Sequence, residues 1–257
     1  MYPRQLNLST YCGSSMLCLL LALFTAALVA QADEAVRIAK HGLLDITCDE
    51  RLKVVVIGDS IVYGRGDLSH GSRGGYVSRL AAAIPGVSVY NQGKPGLNTV
   101  QLLARVSQDI TSQNSRGRQI GSADYIILDA GRNDFFLDRS ASTSVVRMKR
   151  ILNRVRALSN AVIAVALMTP TKRSYQRPFI KQLNTALQRR NSAAFPVRLK
   201  FSALPAAAIV DQPDGIHPSP AGYDTLAIIL KDYLKGQGQR DARSKIRQLG
   251  AAVASCR

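Results

Sequence analysis

Four short stretches of the chain carry residue types that can do chemistry together: "GDS" at 58–60, "NQG" at 91–93, "GRND" at 131–134 and "DGIHP" at 214–218. Ser60 offers a hydroxyl, which attacks a carbonyl carbon only when a neighbouring base takes its proton. His217 is the histidine that comes late in the chain beside a carboxylate. Asp214, on the same loop, can accept a hydrogen bond from one ring nitrogen and leave the other for Ser60. Attack also builds negative charge on the carbonyl oxygen, and loss of one donor to that oxygen typically raises the barrier by ~2.7–4 kcal/mol. Candidate donors are the backbone N–H of Gly93, which no side chain shields, the side-chain amide of Asn133 and the N–H of Ser60 itself. A Gly-Asp-Ser alone is an ordinary strand-ending turn. The four blocks matter only if the fold brings them to one place.

The surrounding pattern predicts that it does. An aliphatic strand over Lys53–Ile57 leads into a glycine-rich loop through Gly75, and thereafter helices are expected at 76–84, 98–110, 144–158, 178–190 and 220–234. Strands are expected between them at 87–93, 124–131, 161–168 and 195–201. Val100, Leu103 and Val106 fall on one helical face with Asn98 or Thr99 available as a cap, and Pro220 suits the first turn of the last helix. Strands that alternate with helices and read as continuous apolar runs predict a parallel sheet buried between two helical layers. In such a sheet the loops at the carboxyl ends of the strands lie along one edge, where ligands bind.

Outside this core, Arg4 precedes an apolar run from Met16 to Ala30, and Ala30-Gln31-Ala32 follows it before Asp33. That order predicts a cleaved signal peptide over 1–32; the run is shorter than the ~20 apolar residues of a spanning helix, which disfavours the alternative of a membrane anchor. An N-terminal segment over 33–52, a domain over 53–235 and a polar, basic tail over 236–257 complete the division. Within the tail, Ile246, Leu249 and Val253 have the spacing of a short amphipathic helix. Cys48 and Cys256 then stand at the two ends of an exported domain, either bridged or as unpaired thiols. The formal net charge of +17 favours polyanions, such as an anionic membrane surface or an acidic glycan, against the simpler reading of a solvated basic surface. No basic module interleaved with aromatics points to nucleic acid. His41 and His70 read as surface residues, and no His/Cys spacing suits a metal, so neither metal nor cofactor is expected.

On the four blocks, in this order and across roughly residues 53–220, the chain resembles the SGNH hydrolase superfamily, also called GDSL-type esterases and lipases. The resemblance implies a flavodoxin-like three-layer α/β/α fold with a central parallel sheet. It implies Ser60 as nucleophile and first oxyanion donor, Gly93 and Asn133 as the other donors, and Asp214 and His217 as the rest of the triad. The implied substrate is a carboxylic ester of a lipid, a lysophospholipid or an acylated polysaccharide. O-acyl transfer to a sugar and a catalytically inactive module that binds envelope polymers are the alternatives. Gly-x-Ser-x-Gly, the signature of α/β-hydrolases, is absent. Two positions depart from the family pattern. Arg132 stands where a small residue is usual, either to hold an anionic substrate group or, as preferred, to pair with Asp129 or Asp134. Lys94 and Pro95 follow Gly93 and add a second candidate for substrate contact. Asp59 and Asp134 are expected to cap loops and brace the site.

Overall fold

The computed structural model describes residues 38–39, 42–67, 74–111, 122–205 and 214–249. The expected signal peptide, His41, His70 and Cys256 lie outside the described residues. A small antiparallel pair, β1 (Ile38–Ala39) and β2 (Leu43–Leu44), precedes the main sheet. The sheet holds β3 (Lys53–Gly58), β4 (Ser88–Gly93), β5 (Tyr125–Asp129), β6 (Val162–Ala166) and β7 (Val197–Leu199). Its order is β4-β3-β5-β6-β7, and every neighbouring pair is parallel. That is the doubly wound order in which the chain reverses direction beside the first strand, opening a crevice between the carboxyl ends of β3 and β5.

The sheet is buried on both faces, so its strands read as continuous apolar runs. In β3, Val54 and Val56 enter one core and Val55 and Ile57 the other, all with no exposed surface. At roughly 1.5–3 kcal/mol for each fully buried aliphatic side chain, a polar residue at any of these positions would outweigh much of a domain's net stability. The first core is closed by α2 (Gly75–Ala83) and α6 (Pro220–Tyr233), through Tyr76, Leu80, Tyr223 and Leu230. The second is closed by α3 (Thr99–Thr111), α4 (Ala141–Leu158) and α5 (Arg177–Arg189), through Leu102, Met148, Ile151 and Leu183. The result is the expected three-layer α/β/α arrangement.

Three local features differ from the sequence reading. The loop after β3 begins with a single helical turn, α1 (Ser60–Tyr63), capped by the Asp59 carboxylate on the Ile61 N–H and closed by left-handed Gly64. After β5 comes a 3-10 turn, Arg132–Phe136. The expected boundary at 235 is absent, because α6 runs through a π-helical turn, Leu234–Gly238, into α7 (Gln239–Leu249). Ile246 and Leu249 of α7 pack against the first core, as an apolar stripe at that spacing should. Segment 42–52 is pinned to the amino end of the sheet by the Asp124 carboxylate, which accepts N–H groups from Ile46, Thr47 and Lys53 at 2.7, 3.0 and 2.8 Å. Cys48 in that segment is disulfide-bonded, to a partner outside the described residues.

Candidate active site

Ser60 is the first residue of α1, held directly after a fully buried strand, and only 5% exposed. Its hydroxyl lies 2.7 Å from His217 Nε2, and His217 Nδ1 lies 2.5 Å from Asp214 Oδ2. Ionised Asp214 can only accept, so the shared proton sits on Nδ1 and Nε2 is left as an acceptor facing the serine. Asp214 Oδ1 also accepts the N–H groups of Ile216 and His217, at 2.8 and 3.1 Å, closing the "DGIH" loop upon itself. Burial would raise the Asp214 carboxyl, but these hydrogen bonds and the imidazole charge outweigh it and hold the group below the ordinary carboxylate range. Three side chains from distant parts of the chain thus form one hydrogen-bonded line.

The "GRND" and "NQG" loops flank this line. Asn133 Nδ2 donates to the Leu97 carbonyl at 3.0 Å and lies 3.5 Å from Asp59 Oδ2. Asp134 reaches across to α3 and accepts the Thr99 N–H at 2.8 Å and the Thr99 hydroxyl at 2.6 Å, which locks the two loops together. Asp59 and Asp134 therefore brace the site, as expected of them. The Ser60 N–H, at the first position of α1, makes no hydrogen bond among the described residues and remains available to an oxyanion.

Gly93 requires correction as an oxyanion donor. Its N–H is already taken, by Asn91 Oδ1 at 2.9 Å, while Asn91 Nδ2 donates to the Val62 carbonyl of α1 at 2.8 Å. A Cβ at Gly93 would lie 2.2 Å from the Tyr63 nitrogen and 2.8 Å from the Asp59 carbonyl, so the glycine is there to let β4 pack against the serine turn. Three residues on, Lys94–Leu97 form a turn closed by the Leu97 N–H on the Lys94 carbonyl, with Gly96 at φ +76°. The Gly96 N–H makes no hydrogen bond among the described residues and adjoins Leu97, the partner of Asn133. The Pro95-Gly96 dipeptide carried the signal for this turn, since proline presets its first corner and glycine accepts the positive φ of the second.

Arg132 also requires correction. It is 1% exposed and cannot meet substrate. Neither Asp129 nor Asp134 hydrogen-bonds to it; its Nη2 bonds the Thr169 carbonyl and, at 2.7 Å, the Thr169 hydroxyl. Burial lowers its pKa, opposed by the charges of Asp59 and Asp129 behind the site. Asp129 is pushed up to about 7, first by burial and then by Asp59, against a hydrogen bond from Tyr76 and the charge of Arg132. Arg132 thereby balances a buried acidic cluster and anchors the strap that follows β6. That strap, unforeseen in the sequence, holds the histidine loop: the Thr171 hydroxyl and Lys172 N–H donate to the Gly215 carbonyl at 3.1 and 2.8 Å, and Arg173 Nε donates to the Asp214 carbonyl at 2.5 Å. Lys94 is exposed beside the site, and its N–H continues the sheet by bonding the Gly58 carbonyl at 3.1 Å.

The concave surface lies elsewhere. A cavity of about 560 Å³ at the amino end of the sheet is lined by Cys48, Arg156 and Leu249 and contains none of the reacting groups. Among the described residues no group of His, Cys, Asp and Glu is arranged to hold a metal ion.

The fold is a three-layer α/β/α arrangement around a parallel sheet, and comparison with known proteins makes the assignment specific. The model of the GDSL-like lipase/acylhydrolase family matches residues 56–225, well over half of the chain, and the chain belongs to that family of ester hydrolases. A lipase/acylhydrolase from Enterococcus faecalis is 25% identical with a TM-score of 0.56, over 72% of this chain and 96% of that one. An acetyl xylan esterase from Geobacillus stearothermophilus is 21% identical with a TM-score of 0.54, over 78% of this chain and 97% of that one. The esterase EstA from a Pseudoalteromonas species, inhibited by monoethylphosphonate, is 16% identical with a TM-score of 0.54, over 72% and 97% respectively. No curated protein matches the chain significantly.

Proposed function

We propose that the protein is an exported serine ester hydrolase that works through an acyl-enzyme. The observation that carries this reading is the hydrogen-bonded line from Ser60 Oγ through His217 to Asp214. As Ser60 Oγ forms its bond to the ester carbonyl carbon, His217 Nε2 takes the serine proton and Asp214 stabilises the resulting imidazolium. The Ser60 N–H, the Asn133 amide and the Gly96 N–H are the donors for the oxyanion. Collapse of the tetrahedral species breaks the bond to the leaving alcohol, which receives the proton from His217. Water then attacks the acyl-serine by the same sequence and frees the acid. Each donor is worth ~2.7–4 kcal/mol of barrier, so they matter as much as the base.

Export is supported by the charge, apolar run and Ala-x-Ala order of residues 1–32 and by the oxidised state of Cys48. The same reading pairs Cys48 with Cys256, because Leu249 at the end of α7 lines the same cavity as Cys48. The test is direct. The wild-type protein should hydrolyse a short-chain aryl ester and take up one organophosphonate on Ser60, read by mass spectrometry of the labelled peptide. The Ser60→Ala variant should lose both while keeping its melting temperature; retained hydrolysis in that variant overturns the assignment.

A further inference from the structure

The rim of the site carries an apolar surface that the reaction does not use. Phe136 is 66% exposed, Tyr175 50%, Val100 48% and Leu137 46%. Phe136 and Tyr175 flank one ring, and Leu137 and Val100 adjoin the turn that carries it. That ring is the buried Phe135, 5.2 Å from Phe136 and 5.6 Å from Tyr175 between centroids. Leu137 ends the same 3-10 turn, and Val100 follows Thr99, which is bonded to Asp134 of that turn.

This surface borders the reacting groups on two sides. Asn133 belongs to the turn itself, and Arg173, which holds the Asp214 carbonyl, lies 5.9 Å from the Tyr175 ring. Its border is also cationic. The exposed Arg139 has its guanidinium 4.8 Å from the Phe135 ring centroid, and Lys172 and Arg177 are exposed on either side of Tyr175. The acidic residue nearest in sequence, Asp138, is paired with Arg147 at 2.7 Å.

A cluster of exposed aromatic and aliphatic side chains ringed by lysine and arginine matches a bilayer interface: the apolar groups leave water for the acyl boundary, and the cations meet anionic headgroups. An acidic polysaccharide satisfies only half of that pattern. It can pair with the cations and stack on Phe136 or Tyr175, but it gives Leu137 and Val100 nothing to pack against.

We propose that this rim docks the protein on an anionic phospholipid bilayer, with Phe136, Leu137, Tyr175 and Val100 entering the headgroup boundary. The mouth of the Ser60 site then faces lipid. That consequence for catalysis rests on the ester-hydrolase reading, whereas the docking does not.

Flotation of the Ser60→Ala protein with vesicles tests the docking without hydrolysis. The protein should float with equal parts phosphatidylglycerol and phosphatidylcholine and stay behind with phosphatidylcholine alone. Phe136→Asp with Leu137→Asp, and separately Arg139→Glu with Lys172→Glu, should each weaken binding at least about tenfold. Lys149→Glu with Arg150→Glu, an equal charge change on the exposed face of α4, should leave it near the parent value. Equal binding to neutral vesicles overturns the proposal, and so does equal weakening by both charge pairs, which would mean diffuse attraction. Capture by alginate without vesicle binding would assign the rim to a polysaccharide instead. If the Phe136/Leu137 variant does not melt like its parent, the two charge pairs decide alone. Failure to float leaves the phosphonate and hydrolysis tests of Ser60 untouched, and failure of those tests leaves flotation untouched.

Discussion

At the amino edge of the sheet Asp124 accepts three backbone N–H groups, and at the carboxyl edge Asp214 accepts two together with the His217 ring. Similar numbers of donors give opposite results. Asp124 has no exposed surface; burial pushes it up to about 7, with Asp45 adding to the rise and the backbone donors opposing it. Asp214 is only part-buried and faces an imidazole that can become charged, and it is held below the ordinary range. Donor count therefore does not set the state of a buried carboxylate. Access to water and an imidazole partner does, and that difference separates a carboxyl that ties down the chain from one held ionised beside His217.

The comparison can be broken by substitution. The largest expected effect is on rate at the carboxyl edge: Asp214→Asn should lower kcat by about 10⁴-fold through the wrong imidazole tautomer, with an almost unchanged melting temperature. An equal loss of kcat in Asp124→Asn would erase the distinction between the edges. Arg132→Leu removes the guanidinium that faces Asp59 and Asp129 and should cost about 3 kcal/mol by urea denaturation, with KM for a soluble ester unchanged. A raised KM would return Arg132 to the substrate.

Asp124→Asn should cost about 1–3 kcal/mol, since the amide cannot accept the Lys53 N–H where it presents its own hydrogens. It should also change the pH dependence. The folded carboxyl titrates near 7 and the unfolded one near ~3.9, so the native state binds the extra proton between those values. The contribution of this group is complete below about pH 4 and is lost as pH rises through about 7. The variant should therefore lose stability less steeply than wild type across that window, measured by denaturation at several pH values. Smallest is Gly96→Ala. Its Cβ would meet nothing within 4 Å, so the cost is the positive φ alone, about 1 kcal/mol. Urea denaturation checks this, and a cost well above that figure would mean that the turn cannot hold a side chain at this φ.

What the sequence disclosed follows the range of the forces involved. Periodicity and apolar runs marked the five strands and the main helices because local pattern and burial agree in a doubly wound sheet. The meeting of Ser60, Asp214 and His217 was legible because their blocks follow one another at the carboxyl ends of a parallel sheet, which lie along one edge. Gly93 was misread because the deciding fact is which N–H already has an acceptor, and that depends on how Asn91 folds back over its own loop. Arg132 was misread for a related reason: arginine is seldom buried, and only the packed structure reveals the acidic cluster behind the site. The strap through Thr171 and Arg173 acts mainly on backbone carbonyls, which are the same in every sequence and carry no signal in side-chain pattern.

The hydrogen bond between Ser60 and His217 joins residues 157 positions apart. Closing so long a loop is slow relative to forming the single turn that presents the serine. Ser60 is made 157 residues before His217 and its turn is itself held by Asn91 of β4, so nucleophile and base meet only when the sheet and the last loop have docked. Recovered activity is thus a clock for the final step of folding, trailing the recovery of helical signal rather than following it in parallel.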